Sequence, residues 1–452
     1  MSKIFGTDGI RCLVNEEPLS AETCLKISKT AAFILRKKQN NKNSRVVICK
    51  DTRLSGYLYE PLVTAGFISM GMNVILVGPL PTPAVPLMIK TLRADIGVMI
   101  TASHNTYEYN GLKFFDNDGS KLDKKIEDKI EEIVLNDRKY KKITNKSFIS
   151  GKAKRLEDAT GRYSEFLKSC LSRKNSKKKL KIVLDCGNGA TYNIAPSLFW
   201  ELGHDVISIN INPDGKNINH NCGAVDTSEL SKKVLIEKAD IGFAFDGDGD
   251  RIIVIDENGK EIDGDRIIAL FSKEYLKPKN KNNQIDVIIT VMSNMALENY
   301  LCNNLNLKVK RTNVGDINVI NTMKKYKSLL GGEQSGHIIL SNFSNTGDGI
   351  LAALKILEIL IFEKNKTSKI FDLYKDYSQQ KINLKYNRIT KKLVRLINDI
   401  NKSKLYNNKS IRSLIRLSGT EPLLRILVEG KNPNQVCQNS NKIKNLVRPH
   451  LG

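Results

Sequence analysis

Short runs of β-branched and other apolar residues alternate with segments of helical periodicity over most of this 452-residue chain. In the first region, the runs at 46–51, 73–77 and 96–102 predict strands. The helical patterns between and after them lie near 58–70, 83–91 and 122–135. Near-continuous apolar strands separated by helices are typical of a mostly parallel sheet that is covered on both faces.

The same alternation restarts twice after a polar, lysine-rich stretch from 137 to 180. Further strands are predicted at 181–185, 205–209, 241–245, 252–256, 286–291 and 308–311. Further helices are predicted near 190–202, 227–238, 265–276, 294–302, 316–326 and 348–363. The repetition predicts three related α/β domains with mixed or parallel sheets.

The C-terminal region has a different pattern, with strands predicted at 381–385, 411–415 and 423–428 and helices near 391–400 and 434–447. Strands with fewer intervening helices favour an antiparallel α+β domain. We therefore expect four domains, with these boundaries: 1–150, 151–256, 257–370 and 371–452.

The charge balance favours an acidic partner, because 72 lysines and arginines face 48 acidic residues and give a net charge of +24. Nucleic acid, anionic lipid and phosphorylated substrates all fit this charge. A single Trp and 6% aromatic residues are too few for extended base stacking, and the lysine run at 173–181 contains no aromatic residue. Nucleic-acid binding therefore remains an alternative that steeply salt-dependent binding would reveal.

The chain contains neither a predicted membrane span nor a predicted secretory signal. Its longest apolar candidate, 350–362, is interrupted by Lys355 and Glu358 and predicts a buried helix. The eight cysteines are scattered without a C-x-x-C pair, which excludes a zinc ribbon and favours a reducing compartment. We expect a soluble, cytoplasmic protein.

Two polar segments at predicted strand ends suggest phosphoryl and metal chemistry. In Thr101–Asn105, the Ser103 hydroxyl could act as a nucleophile or phosphoryl carrier, or the segment could be a simple Ser/Asn turn. In Asp246–Arg251, aspartates at alternate positions could converge on Mg²⁺ or Ca²⁺. The alternative is a solvated acidic turn, which is disfavoured because three adjacent carboxylates repel without a cation. An EF-hand is excluded, because strands flank this loop and Arg251 stands where that motif needs glycine.

Two further segments suggest ligand recognition. Gly332–His337 combines Glu333 and Ser335, which could read hydroxyls, with His337, which could transfer a proton or face a phosphate. Arg416–Pro422, followed by Arg425, could cradle a phosphate through its arginines, hydroxyls and freed backbone N–H groups. The alternative for each segment is a polar turn.

Two nucleotide-binding motifs are disfavoured. Gly187–Tyr192 resembles the start of G-x-G-x-x-G, but Tyr192 replaces the third glycine. No G-K-[ST] sequence occurs, which argues against a Walker-type NTPase.

Together and in this order, the four segments closely resemble the α-D-phosphohexomutase superfamily over essentially the whole chain. The resemblance also rests on the segments Phe5–Arg11, Asn110–Lys113, Asn212–Gly215 and Thr346–Gly349. The opening motif and Gln334 favour the branch that acts on glucosamine phosphates. Phosphomannomutases and phosphoglucomutases, which share the same chemistry, remain alternatives.

The resemblance implies four domains around one central cleft, each giving one loop: phosphoserine, metal, sugar-recognition and phosphate-binding loops in chain order. It implies reversible conversion of glucosamine 6-phosphate to glucosamine 1-phosphate through a 1,6-bisphosphate, which feeds UDP-N-acetylglucosamine synthesis. A hexosamine 1,6-bisphosphate would serve as intermediate and activator, and a phosphosugar as partner, with no nucleic acid or membrane. The family is often dimeric, so a homodimer stays open.

The resemblance also assigns roles to residues of this chain. Ser103 would carry the phosphoryl group, and one Mg²⁺ would be held by a phosphoserine oxygen with Asp246, Asp248 and Asp250. Residues matching the catalytic positions, which assist proton transfer or stabilise charge, are Arg11, His104, Lys113 and His337. Residues matching substrate-binding positions are Glu333, Ser335, Arg416, Ser418, Gly419, Thr420 and Arg425.

A few positions depart from the family pattern. The departures are Cys12 in place of glycine, Ala224–Asp226 in place of a Ser-Thr-His run, Ile317 in place of a basic residue, and Leu417. The loss of a basic side chain at Ile317 predicts a change in substrate affinity or preference.

Overall fold

The computed structural model describes residues 4–6, 8–36, 44–145, 148–172, 178–276, 285–363, 365–408, 410–417 and 422–451. Its strands form four sheets, with six, five, four and three strands in chain order. The first three sheets mix parallel and antiparallel pairs and are packed with helices, whereas the fourth is antiparallel throughout. The predicted fold class, three α/β units followed by an α+β unit, is confirmed.

The first sheet has the strand order β1-β5-β4-β2-β3-β6. Its unit contains β1 (Ile10–Leu13), α1 (Ala21–Leu35), β2 (Arg45–Lys50), α2 (Gly56–Ser69), β3 (Asn73–Pro79), α3 (Ala84–Leu92), β4 (Ile96–Ile100), β5 (Tyr109–Phe115), α4 (Lys124–Val134), α5 (Asp137–Thr144) and β6 (Ala153–Arg155). Central strand β4 is buried along its whole length, as expected of a parallel strand covered by helices on both faces. The sequence pattern did not predict α1, β1 or β5.

The second sheet has the order β11-β10-β9-β7-β8. Its unit contains α6 (Ala159–Ser169), β7 (Lys181–Asp185), α7 (Ile194–Glu201), β8 (Asp205–Ile209), α8 (Ser228–Glu237), β9 (Ile241–Phe245), β10 (Ile252–Asp256) and β11 (Glu261–Ile262). The polar, lysine-rich stretch 137–180, for which no element was predicted, contains α5, β6 and α6. Helix α6 forms despite its polar composition because it buries Tyr163 and Leu167 on one face. Strand β6 pairs with β3, so the first sheet extends beyond residue 150.

The third sheet has the order β13-β12-β14-β15. Its unit contains α9 (Gly264–Tyr275), β12 (Val287–Thr290), α10 (Met295–Asn299), β13 (Val309–Thr312), α11 (Asp316–Tyr326), β14 (Leu330–Gly332), β15 (Ile338–Leu340), α12 (Gly349–Phe362) and α13 (Thr367–Ile370). Helix α12 is the predicted buried helix. Its Lys355 Nζ lies 2.9 Å from Glu358 Oε2 and donates to the Cys170 carbonyl at 2.6 Å, so both charges are compensated inside the protein.

The fourth sheet has the order β16-β18-β17. Its unit contains β16 (Ser378–Lys385), α14 (Lys391–Lys402), β17 (Ile411–Leu417), β18 (Leu423–Gly430) and α15 (Pro433–Val447). Buried and partly exposed residues alternate along β17, which is the pattern of an antiparallel sheet with one covered face. Among the described residues, no helix is long and apolar enough to cross a membrane.

Candidate active site

The four predicted loops occupy equivalent places in their sheets. Each loop joins two antiparallel neighbours, in the pairs β4–β5, β9–β10, β14–β15 and β17–β18. A cavity of about 580 Å³ lies between the units, and its lining includes one or more residues from each of the four. These include His104, Asp246, Glu333 and Lys381. Convergent polar groups in a cavity of this size are typical of a small-molecule site.

Ser103 lies three residues after the end of β4 and is 1% exposed. Its hydroxyl donates to Asp246 Oδ2 at 2.8 Å, and its backbone N–H donates to Thr101 Oγ1 at 2.9 Å. The residue adopts a left-handed backbone conformation with φ 51°, which is rare for a residue other than glycine. The serine is thus aimed at the acidic loop of the second unit.

Asp246, Asp248 and Asp250 converge as the sequence predicts. Each has a carboxylate oxygen within 4.8 Å of those of the other two, and all three side chains are buried. Gly247 must lack a side chain, because a Cβ there would lie 2.7 Å from the Ser103 carbonyl oxygen. Burial, together with Asp250 and Asp248, raises the pKa of Asp246 well above its usual range.

The donor set of this acidic loop fits a divalent cation. Among the described residues, Asp248 Oδ1 and Asp250 Oδ1 are buried and accept no hydrogen bond. Buried carboxylate oxygens without donors are costly unless a cation or another charged group compensates them. Hard oxygen ligands of this kind match Mg²⁺ or Ca²⁺ better than softer metals.

Lys113 projects from β5 into the acidic loop. Its Nζ lies 2.8 Å from Asp248 Oδ2 and 3.2 Å from Asp250 Oδ2. It also lies 3.2 Å from Asp8 Oδ2, and Arg11 reaches the same Asp8 oxygen at 3.0 Å. Burial opposes the charge of Lys113, but the surrounding carboxylates raise its pKa well above the usual value, so it is a fixed cation. Asp8 belongs to the opening motif Phe5–Arg11, but no role was predicted for it from the sequence.

The two histidines of the site have opposite electrostatic environments. Burial and the nearby Arg251 and Arg11 lower the pKa of His104 to about 3, which leaves its ring neutral near pH 7. Burial also disfavours charge on His337, but Asp250, whose Oδ1 lies 3.6 Å from Nδ1, raises its pKa. His337 Nε2 accepts the Gly347 N–H at 3.1 Å.

Arg251 ends the acidic loop and lines the cavity. Its backbone N–H donates to Asp246 Oδ1 at 3.1 Å, and its Nε lies 3.9 Å from Asp250 Oδ1. Burial opposes its charge, but Asp246 and Asp250 raise its pKa. No role was predicted for Arg251 from the sequence, although a cation that follows three clustered acids was a usable signal.

The third loop presents polar groups to the cavity. Glu333 is buried, and its Oε1 accepts the Gly315 N–H at 3.0 Å. Ser335 is exposed and lines the cavity, while Gln334 Nε2 donates to Asp263 Oδ2 at 3.1 Å. Gly336 has φ 89°, and a Cβ there would lie 2.0 Å from the Ile252 carbonyl oxygen. The loop is therefore packed directly against the strand that leaves the acidic loop.

The fourth sheet brings two predicted phosphate-binding residues together. Arg416 on β17 lies directly opposite Arg425 on β18. Burial and the neighbouring Arg425 lower the pKa of Arg416. Like charges at directly opposed positions destabilise a sheet, and an anion between them would remove that cost. Ser418, Gly419 and Thr420, the other predicted residues of this loop, lie outside the described residues.

The departures from the family pattern lie at different distances from the cavity. Ala224 and Val225 are part of its lining. Ile317 occupies the first turn of α11, and the cavity lining does not include it. Cys12 on β1 is partly exposed, with its Sγ 3.2 Å from the Glu17 carbonyl oxygen, and Leu417 ends β17.

Comparison with known families identifies all four units. Family models for the alpha/beta/alpha domains I, II and III of phosphoglucomutase/phosphomannomutase match residues 2–141, 161–259 and 263–377. The model for the C-terminal domain matches residues 379–442. The matched domains occur in chain order and account for most of the sequence.

Curated relatives match nearly the full length. The chain is 43% identical over 448 residues to phosphoglucosamine mutase of Parvibaculum lavamentivorans, covering 98% of each protein. It is 42% identical over 439 residues to phosphoglucosamine mutase of Rhodospirillum rubrum, covering 96% of each.

Solved structures share the fold. A phosphoglucomutase/phosphomannomutase family protein from Burkholderia thailandensis superposes with a TM-score of 0.83 at 22% identity, covering 100% of this chain and 98% of that one. N-acetylphosphoglucosamine mutase from Aspergillus fumigatus, solved with GlcNAc-6P and magnesium, gives a TM-score of 0.65 at 18% identity, covering 99% and 96%. With these matches, the chain belongs to the phosphoglucomutase/phosphomannomutase family.

Proposed function

We propose that this protein interconverts glucosamine 6-phosphate and glucosamine 1-phosphate through a phosphoserine at Ser103. The observation that carries the proposal is the buried Ser103 hydroxyl, 2.8 Å from Asp246 in a cluster of three aspartates that borders a polar cavity. The full-length relatives named phosphoglucosamine mutase support glucosamine as the sugar.

In each half-reaction, a phosphoryl group moves between Ser103 Oγ and a sugar oxygen. In the first, the sugar hydroxyl attacks phosphorus, the new sugar O–P bond forms, and the bond from Ser103 Oγ to phosphorus breaks. In the second, Ser103 Oγ attacks the other phosphate of the bisphosphate and the bond from that phosphorus to the sugar oxygen breaks, which restores the phosphoserine. Such transfers need positioning and charge neutralisation more than covalent work by the protein. We assign charge neutralisation to Lys113 and Arg11, because Lys113 is buried and protonated and Arg11 lies beside it, sharing Asp8.

We assign the proton of the attacking hydroxyl to His104. Its ring is neutral, it lines the cavity, and its buried Nδ1 has no hydrogen-bond partner among the described residues. The negative charge of a nearby phosphoserine would raise the pKa of this ring and make it a better acceptor. We infer that His337 supports the centre from the opposite side, where it faces Asp250.

Mg²⁺ is the proposed metal, and Asp246, Asp248 and Asp250 would hold it together with a phosphoserine oxygen. When bound, the ion would neutralise charge on the transferring phosphoryl group. The chain itself holds Asp248 and Asp250 through Lys113. Asp248 is also held by Thr82, whose hydroxyl donates to Asp248 Oδ2 at 2.5 Å, and Asp246 Oδ1 accepts the Arg251 N–H.

The proposed 1,6-bisphosphate intermediate must turn round before the second transfer. Arg416 and Arg425, with Ser418, Gly419 and Thr420, would hold whichever phosphate is not reacting, since arginine pairs anionic oxygens in a fixed geometry. Glu333 and Ser335 would read the sugar hydroxyls in either orientation. We expect a hexosamine 1,6-bisphosphate to activate the enzyme by phosphorylating Ser103.

A wider set of expectations accompanies this proposal. After transfer of an acetyl group to its amine, the product would supply the nucleotidyl transfer that makes UDP-N-acetylglucosamine, and we infer that the protein works in the cytoplasm. We infer a phosphosugar as the main partner, without nucleic acid, and a homodimer stays open. A light-scattering mass and a salt titration of DNA binding test the last two points.

The deciding experiment compares kcat/KM for glucosamine 6-phosphate, glucose 6-phosphate and mannose 6-phosphate. The assay contains Mg²⁺ and a trace of glucose 1,6-bisphosphate, with an EDTA-treated sample as control. We expect a clear preference for glucosamine 6-phosphate. A preference for another hexose phosphate would assign the chain a phosphoglucomutase or phosphomannomutase activity, and no turnover of any of the three would refute the proposal.

A further inference from the structure

The backbone carbonyls on either side of His104 each accept two side-chain hydrogen bonds. The Ser103 carbonyl accepts from Arg53 Nη2 at 2.9 Å and from Asn219 Nδ2 at 2.8 Å. The Asn105 carbonyl accepts from the same two nitrogens, at 2.8 Å and 2.9 Å respectively. Arg53 belongs to the first unit and Asn219 to the second, so side chains from two domains donate hydrogen bonds to one short segment of backbone.

In the first unit, Arg53 is held in place by a buried ion pair. Arg53 is fully buried, and its Nε donates to Asp51 Oδ2 at 2.9 Å. The same Asp51 oxygen accepts the Thr101 hydroxyl at 2.6 Å, and Thr101 Oγ1 accepts the Ser103 N–H. The backbone N–H and the carbonyl of Ser103 are therefore both tied to one buried ion pair.

In the second unit, Asn219 is held in place by backbone hydrogen bonds that lead to the second sheet. Asn219 is 3% exposed and adopts a left-handed conformation with φ 57°. Its backbone N–H donates to the Gly187 carbonyl at 2.9 Å, and the Gly187 N–H donates to Asp185 Oδ1 at 2.9 Å. Asp185 ends β7, so the Asn219 amide is fixed to the second sheet.

The backbone conformation that these hydrogen bonds stabilise at Ser103 also sets the direction of its hydroxyl. A non-glycine residue with positive φ is retained only where its surroundings determine it from several sides. At Ser103, the conformation directs Oγ toward Asp246, which the second unit also supplies. Two residues of the second domain thus hold Ser103: Asn219 donates to its carbonyl, and Asp246 accepts its hydroxyl.

We propose that Asn219 is a positioning residue for phosphoryl transfer: its amide holds the Ser103 loop in register with the acidic loop across the boundary between the first two domains. It acts through Ser103, because the cavity lining does not include Asn219. A Cβ on Gly247 would lie 2.7 Å from Asn219 Nδ2, so the amide is packed directly behind the acidic loop.

The proposal separates the rate of transfer from the binding of substrate. Loss of the amide should misalign Ser103 and lower kcat, while KM for the sugar phosphate should hardly change, because the sugar and phosphate loops are untouched. If a residue only stabilises the fold, its loss should lower the melting temperature and the fraction of active enzyme. It should not lower the kcat of the folded enzyme at an unchanged KM.

The test is Asn219→Gly, which keeps the left-handed backbone accessible and removes only the amide. The matched control is Asn221→Gly, since Asn221 is exposed and has φ 52°. Wild type and both variants are assayed for kcat and KM with glucosamine 6-phosphate, Mg²⁺ and a trace of glucose 1,6-bisphosphate. Circular dichroism melting reports folding, and phosphorus NMR after incubation with glucose 1,6-bisphosphate reports the phosphoserine environment.

We expect Asn219→Gly to lower kcat by about tenfold or more with KM within about twofold of wild type. Its phosphoserine resonance should shift or broaden, and Asn221→Gly should match wild type in every readout. An Asn219→Gly enzyme with wild-type kcat and an unchanged resonance overturns the proposal, as does a fall in activity explained by melting alone. The inference rests on the proposed mutase function, whose failure would be recognised separately as inactivity of the wild-type protein.

Discussion

The acidic loop of the second unit and the arginine pair of the fourth both concentrate like charges, but the protein compensates them differently. Lys113 reaches Asp248 and Asp250 in the acidic loop at 2.8 Å and 3.2 Å. Arg416 and Arg425, in contrast, lie directly opposite each other on neighbouring strands. Lys113 therefore compensates part of the negative charge of the acidic loop, whereas the opposed arginines bring two like charges together at a place where a bound anion would reduce their repulsion.

This difference indicates a division of labour. Changes in and around the acidic loop should act on the chemical step and on metal dependence, because that loop faces Ser103. Changes in the arginine pair should act on the binding of phosphate groups. Four substitutions test this division.

Ser103→Ala should have the largest effect, because it removes the proposed phosphoryl carrier. We expect mutase turnover to fall by about 10³-fold or more, since no other group replaces a covalent nucleophile. The melting temperature should stay close to that of wild type, because one hydroxyl that donates to Asp246 is lost. Wild-type activity in this variant would rule out the phosphoserine mechanism.

Asp248→Asn should weaken metal activation while preserving side-chain shape. We expect the Mg²⁺ concentration for half-maximal activity to rise about 10- to 100-fold, since one of three converging carboxylates loses its charge. The variant Asp240→Asn, at an exposed acid just before β9, serves as control. An unchanged Mg²⁺ titration would contradict the proposed metal site.

Arg416→Ala should separate binding from chemistry. We expect KM for glucosamine 6-phosphate to rise about tenfold through loss of a charge-assisted hydrogen bond to phosphate, with a smaller change in kcat. Thermal stability should not fall, because the substitution also removes the repulsion from Arg425. Arg395→Ala, at an exposed arginine on α14, is the control, and equal KM values in both variants would remove Arg416 from phosphate binding.

Ile317→Arg should have the smallest effect. The sequence pattern suggested that loss of a basic side chain here alters affinity, but the lining of the cavity does not include Ile317. We expect kcat/KM to change by no more than about twofold, as for most substitutions outside a site. A gain of tenfold or more would show that this loop approaches the substrate during turnover.

The sequence predicted those parts of the site in which neighbouring residues carry the signal. The three aspartates alternate within five positions, and Ser103 closely follows a buried strand. The long apolar pattern of α12 likewise predicted a buried helix. Local periodicity and short motifs are sufficient for such features.

The parts that were missed depend on contacts between distant positions. Asp8, Arg53 and Asn219 act on residues far away in the chain, and Asn219 is 116 positions from Ser103. Strands of three residues such as β14 and β15 are too short to show alternation, and the lysine-rich composition around α6 concealed its buried face. Tertiary packing decides these features, and a single sequence carries little record of it.

The most direct test of the central claim follows the phosphoryl group itself. Enzyme carrying radiolabelled phosphate is mixed with unlabelled glucosamine 6-phosphate and quenched within one turnover. We expect label to start on the peptide containing Ser103 and to move into a hexosamine 1,6-bisphosphate. Label on another residue, or glucosamine 1-phosphate formed while the label stays on the protein, would contradict this claim.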